Sequence, residues 1–164
     1  MKRVFSVALV VLAVSCFSGC GVRESQQRAA GTLGAVPAER AQVTLYTLDP
    51  KLAASASITN EKVFHGFNIL GKANIGSEVE KKALLDALAS GIPMSPPIAP
   101  SCFYPRHGLA IRSGTNNSDY VICFECRKVR VYNPRGNFLV TTSARDTFNE
   151  VATAHRLPIA GERQ

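Results

Sequence analysis

Apolar and polar positions divide the chain into three stretches with different rules. Behind Lys2 and Arg3, residues 4–14 form an almost unbroken apolar run. From residue 21 to about residue 42 the chain is dominated by Gly, Ala, Ser, Gln, Arg and Glu without apolar periodicity, which reads as a flexible tether spanning residues 20–41. Residues 42–164 then carry short β-like and helical patterns and are expected to make one folded domain. Val43, Leu45 and residues 46–48 predict a strand stopped by Asp49-Pro50. A second strand is expected over residues 63–70, with Gly66 and Gly71 as bulge or turn positions. Ser77-Glu78-Val79-Glu80 has the form of a capping box, and Val79, Ala83, Leu84, Ala87 and Leu88 follow at helical spacing up to Gly91. Pro93, Pro96, Pro97 and Pro100 force residues 92–101 into a loop or extended segment.

In the second half, residues 108–112 pair naturally with a strand from Tyr120 onward, through a polar loop at residues 113–119. Along that strand Tyr120, Ile122 and Phe124 are apolar at even positions, whereas Val129 and Val131 are apolar at odd ones. A regular strand keeps one phase, so a bulge or tight knuckle is expected between Phe124 and Lys128. Residues 133–137 form a turn and 138–141 a short strand; Ser143 caps a last helix that buries Phe148, Val151 and Ala152. The order β-β-α-β-β-β-α predicts an α+β domain: a largely antiparallel sheet of about four to five strands with two helices on one face.

The first stretch fixes the expected compartment. A positive start, an apolar core too short for the ~20 residues a spanning helix needs, and Phe17-Ser18-Gly19-Cys20 together resemble a bacterial lipoprotein signal peptide. The resemblance implies cleavage after residue 19, a diacylglyceryl group on the Cys20 thiol and acylation of the new amine. Phe17 departs from the aliphatic residue usual at that position; cleavage before Cys16 or a plain secretory signal are the other readings. Gly21 stands where Asp commonly marks inner-membrane retention in that family, which leans toward the outer membrane. The formal charge of +7 falls to +5 once Lys2 and Arg3 leave, and the excess is scattered. It suits anionic surfaces but lacks the dense basic block with interleaved aromatics that nucleic-acid binding demands.

Three further cysteines lie in the domain. Cys102 and His107 sit five residues apart at the start of one predicted strand, and Cys123-Phe124-Glu125-Cys126 lies on its neighbour. Three thiolates and an imidazole would make a closed tetrahedral zinc set. An oxidising compartment instead favours a disulfide, with Cys102 linked to Cys123 or Cys126 and one thiol left over. Redox chemistry at the C-x-x-C pair is less favoured, because its activated thiol normally sits at a helix N-terminus. Glu125 is a weak candidate general base for a zinc-bound water, since four protein ligands would leave that water no position. The pattern Cys102-Phe103-x-Pro105-x-His107-Gly108 followed by residues 121–126 resembles a family of bacterial secreted or lipoprotein domains over about residues 43–161. That resemblance implies no particular chemistry.

Arg106, Arg112, Arg127, Lys128 and Arg130 could form a basic face for phosphate or carboxylate ligands, though such residues are more often a solvated strand surface. His65 reads as a packing residue and His155 as a favourable cation at a helix C-terminus. The chain has no Trp, Gly-rich phosphate loop, nucleophile elbow or HExxH motif, and so presents no catalytic template. The first expectation is a membrane-anchored, non-enzymatic envelope domain that binds a protein or ligand and is stabilised by its cysteines. A zinc- or thiol-dependent enzyme, or a redox or metal-handling protein, is the alternative.

Overall fold

The structure, a computed structural model, describes residues 20–53, 61–93, 100–114 and 116–161. The signal segment and most of the proline-rich stretch lie outside these residues. The elements in chain order are α1 (Cys20–Gly34), β1 (Gln42–Leu52), β2 (Val63–Phe64), β3 (Phe67–Ile75), α2 (Glu78–Ser90), β4 (His107–Ser113), β5 (Asn116–Cys123), β6 (Lys128–Tyr132), β7 (Gly136–Leu139), a 3-10 turn (Thr142–Ala144) and α3 (Arg145–Ala154). The strands form one seven-stranded sheet in the order β2-β3-β1-β4-β5-β6-β7, and every pairing described is antiparallel. The expected α+β class with a largely antiparallel sheet is what the chain adopts, with more strands and helices than the pattern predicted.

Two of the extra strands come from chain reversals inside segments read as single strands. His65 and Gly66 both take positive φ (49° and 91°), the two-residue turn that joins β2 to β3. Of the two forms expected for the phase break after Phe124, a bulge or a tight knuckle, the chain takes the tight reversal: residues 124–127 make a turn between β5 and β6. Ile122 pairs with Val129 and Tyr120 with Val131, so even positions on one arm share a face with odd positions on the other. The polar loop expected at residues 113–119 shortens to a tight turn at Gly114 (φ 59°), leaving β5 to begin at Asn116. β1 continues through Pro50, which its two register shifts beyond Thr47 accommodate.

The helices cover one face of the sheet. Leu33 of α1, Leu84, Leu85 and Leu88 of α2, and Phe148, Val151 and Ala152 of α3 bury against Val43, Leu45, Leu109, Ile111, Ile122 and Val129. Ser77 caps α2 as expected, its Oγ accepting from the Glu80 N–H at 3.3 Å. Glu80 does not reach back to the cap; it turns to His155 Nε2 at 3.1 Å, tying the start of α2 to the end of α3. Val79, expected inside, is 80% exposed, because Leu84, Leu85 and Leu88 make the buried stripe. Ser143 lies in the 3-10 turn and pairs with Thr141 Oγ1 rather than capping α3.

The expected tether is the largest difference. Residues 20–34 form α1, which is docked onto the domain. Leu33 is fully buried, and the Gln26 side chain accepts from the Leu139 N–H at 2.7 Å and donates to the Leu139 carbonyl at 3.1 Å and that of Pro93 at 3.3 Å. The Gln26 amide therefore stands in for a neighbouring strand on the edge of β7, satisfying backbone groups that an open edge leaves exposed. A helix held by one amide, one leucine and the alanines at positions 29 and 30 carries no apolar periodicity to read.

On the opposite face a smaller cluster gathers Leu48, Phe64, Phe67, Ala110 and Val121. Phe64 stacks on Tyr46 with ring centres 4.2 Å apart and lies flat over Gly108. A Cβ at Gly108 would come within 2.7 Å of the Phe64 ring. Gly108→Ala should accordingly lower stability by about 1–3 kcal/mol, read from urea unfolding. Gly136→Ala, whose added methyl meets nothing within 4 Å, should leave the midpoint unchanged.

Candidate functional site

Cys102 precedes β4, while Cys123 ends β5 and Cys126 lies in the β5–β6 turn. Because this turn reverses the chain and places Arg127 at a positive φ of 52°, Cys126 swings back toward the segment entering β4. The Sγ atoms of Cys102 and Cys126 stand 2.7 Å apart. Cys126 Sγ also accepts from the Tyr104 N–H at 3.4 Å, and the Cys126 N–H donates to Cys123 Sγ at 3.1 Å. Cys123 and Cys126 are buried and Cys102 half-buried. The hydrogen bond shared with Cys126 pushes the Cys102 thiol up, and burial pushes Cys126 up. Thiols held neutral in this way are poor nucleophiles. What the arrangement can do is close: a disulfide requires sulfurs ~2.05 Å apart, less than an ångström from where these two stand.

His107 does not join them. Strand register puts it beside Ile122 on the helix face, whereas Cys123 pairs with Lys128 on the other face. Its ring meets Phe124 and Phe148 edge-on, with centres 5.5 and 5.8 Å away. The structure therefore brings Cys102, Cys123 and Cys126 together and leaves out the fourth member of the expected zinc set. Among the described residues no group of three or more His, Cys, Asp or Glu side chains is placed to hold a metal ion. Glu125 is taken up by an ion pair: its Oε1 lies 2.7 Å from Arg106 Nη1. Arg106, itself buried, also donates to the carbonyls of Ala160 (3.1 Å) and Gly161 (2.8 and 3.1 Å), fastening the C-terminal segment across the sheet. A cavity of about 60 Å³ adjoins them, bordered by Arg106, His107, Glu125, Arg145 and Asn149.

Lys128, Arg130 and Arg112 of the expected basic face are also engaged within the fold. Lys128 donates to the Pro100 carbonyl, and the Arg130 guanidinium lies 4.0 Å over the Phe103 ring. Arg112 belongs to a cluster that the pattern did not single out. His65 Nε2 meets Asp119 Oδ2 at 2.8 Å while its ring stacks on Tyr132, centres 3.7 Å apart. Arg112 Nη1 lies 2.6 Å from Asp119 Oδ1 and also donates to the Ile111 and Ser118 carbonyls, so its tie to Asp119 is a charge pairing rather than an aligned hydrogen bond. Burial alone would raise the Asp119 carboxyl, but His65 and Arg112 together hold it below its usual range. This cluster locks the β2–β3 turn onto the sheet. Its only sequence signal is Asp119 standing in phase with Val121 on a strand, too common a pattern to stand out.

The fold and the sulfur contact define an antiparallel α+β domain in which two free cysteine sulfurs meet at one end of the sheet. No protein-family model, no curated protein and no solved structure matches the chain.

Burial pushes the His107 imidazole down to about 4 from 6.5; a hydrogen bond with Asn149 opposes this, and Arg106 and Arg145 add to it. The unfolded chain thus binds a proton at His107 between these values while the folded one does not, and stability falls as pH drops through that window. The full effect is about 3 kcal/mol. Urea midpoints between pH 6.5 and 4 should decline with a slope that His107→Phe removes.

Proposed function

We propose that this protein is an exported, lipid-anchored domain of the bacterial envelope that works by binding rather than turnover, and that a Cys102–Cys126 disulfide fastens it. The observation that carries this reading is the 2.7 Å approach of the two sulfurs. Their partnership suits an oxidising compartment, where such a pair persists. The bond would close a loop of some 24 residues, a constraint that typically contributes roughly 3 kcal/mol. The raised Cys102 and Cys126 thiols favour a structural role over nucleophilic or redox catalysis, and Glu125 is occupied by Arg106. The lipobox-like residues before Cys20 supply the anchor, and Gly21 favours the outer membrane. The binding partner is a protein or ligand of the envelope.

Intact mass and thiol titration of the full-length protein isolated from membranes test the proposal. The expected result is a two-hydrogen deficit, a single titratable thiol after denaturation, and a loss of about 2–4 kcal/mol in Cys102→Ser. Three titratable thiols with no deficit would contradict it, and so would a zinc-sized increment released as thiols appear, which would favour the metal-site reading. Fatty-acid labelling in cells should be abolished by Cys20→Ser; label retained in that variant would refute the anchor.

A further inference from the structure

Strand register places particular residues at each end of the sheet. One end carries the close of β1 (Lys51 and Leu52), the start of β4, the turn at residues 124–127, and the close of β7 at Leu139. α1 points its N-terminus at this end. Gln26 grips Leu139, whereas Thr32 and Ala35 border a cavity with Ser113, at the far end of β4. Cys20 lies six residues before Gln26 on the same helix, about 9 Å further out at 1.5 Å per residue. No tether intervenes: the helix that carries the anchor is itself part of the domain, so the anchor and this pole are held together.

The pole has the composition of a membrane-docking surface. Leu52 projects from it with 67% of its surface exposed, and Lys51 is exposed beside it. Arg127, Lys128 and Arg145 are half-exposed there. The described carboxylates at this end are Glu24, Asp49, Glu125 and Asp146; Arg28 pairs with Glu24 at 2.8 Å, Arg106 neutralises Glu125, and Asp146 sits 3.6 Å from Arg145. With Lys51, Arg106, Arg127, Lys128 and Arg145 against four carboxylates, one of them already paired with Arg28, the pole keeps a positive excess. The far pole carries Val79, equally prominent but fixed at the other end of the sheet by the start of α2.

We propose that the pole bearing Lys51, Leu52, Arg127, Lys128 and Arg145 lies against the bilayer, and that it docks on the anionic phospholipid headgroups of the leaflet that holds the Cys20 lipid. This rests on acylation at Cys20, argued above. Leu52 enters the headgroup region while the cations meet lipid phosphates, the pairing of apolar and electrostatic attraction that holds proteins in membrane interfaces.

The chain contains no Trp, so a single introduced indole reports its own depth. Full-length acylated Leu52→Trp and Val79→Trp proteins are reconstituted into phosphatidylethanolamine–phosphatidylglycerol vesicles brominated high on the acyl chains. Quenching of Leu52→Trp should exceed that of Val79→Trp at least twofold, and Lys51→Glu combined with Arg127→Glu should reduce the difference. Co-sedimentation with vesicles but equal quenching at the two positions would overturn the docking pole while leaving the anchor intact. Absence of both an acyl mass increment and co-sedimentation would overturn the two together. An undiminished difference in pure phosphatidylcholine would overturn the assignment to anionic headgroups.

Discussion

The chain reversal at residues 124–127 is the constraint on which most of the molecule depends. Four residues separate the last paired position of β5 from the first of β6, so Ile122 meets Val129 and Tyr120 meets Val131 on the helix-covered face. A slip of one residue would turn that whole apolar set toward solvent. The same reversal carries Cys126 back to within 2.7 Å of Cys102, on the segment entering β4. β4 in turn is gripped by β1 on one side and β5 on the other, so the sulfur contact sits where the two halves of the sheet are joined.

The two faces of the sheet solve different problems. The helix side is a conventional apolar core with one exception, His107, whose imidazole is kept neutral by its surroundings. Among the described residues the opposite side carries no helix and is closed by aromatic stacking: Phe64 over Tyr46 and Gly108, His65 over Tyr132. Polar ties hold this cover in place, through His65 and Arg112 on the buried Asp119. The C-terminal segment is bound by Arg106 in the same manner, a buried cation satisfied by backbone carbonyls and one carboxylate. Charges buried in this way hold segments in one position because removing either partner leaves the other uncompensated.

Much of this was legible where a local rule is strong. The Ser77 cap, the end of α2 at Gly91, the buried residues of α3 and the phase break after Phe124 all follow from short-range chemistry. What could not be read depends on contacts distant in sequence. α1 looks like a linker because it is held by Leu33, two alanines and Gln26, which bonds across 113 residues to Leu139, rather than by a regular apolar stripe. The zinc-like set of Cys102, His107, Cys123 and Cys126 looked plausible on spacing, yet register sends His107 and Cys123 to opposite faces. The partner of Asp119 is supplied by a hairpin 54 residues earlier. Spacing constrains which residues are near along a strand, whereas pairing decides which face they share.

Cys102–Cys126 connectivity is the central claim, and peptide mapping of unreduced protein taken directly from membranes tests it most directly. Cleavage after Arg and after Glu125 separates Cys123 from Cys126 and both from Cys102. The account predicts that the Cys126 peptide is recovered joined to the Cys102 peptide, with Cys123 unlinked. Recovery of Cys126 joined to Cys123, or of all three cysteines unlinked, would contradict it.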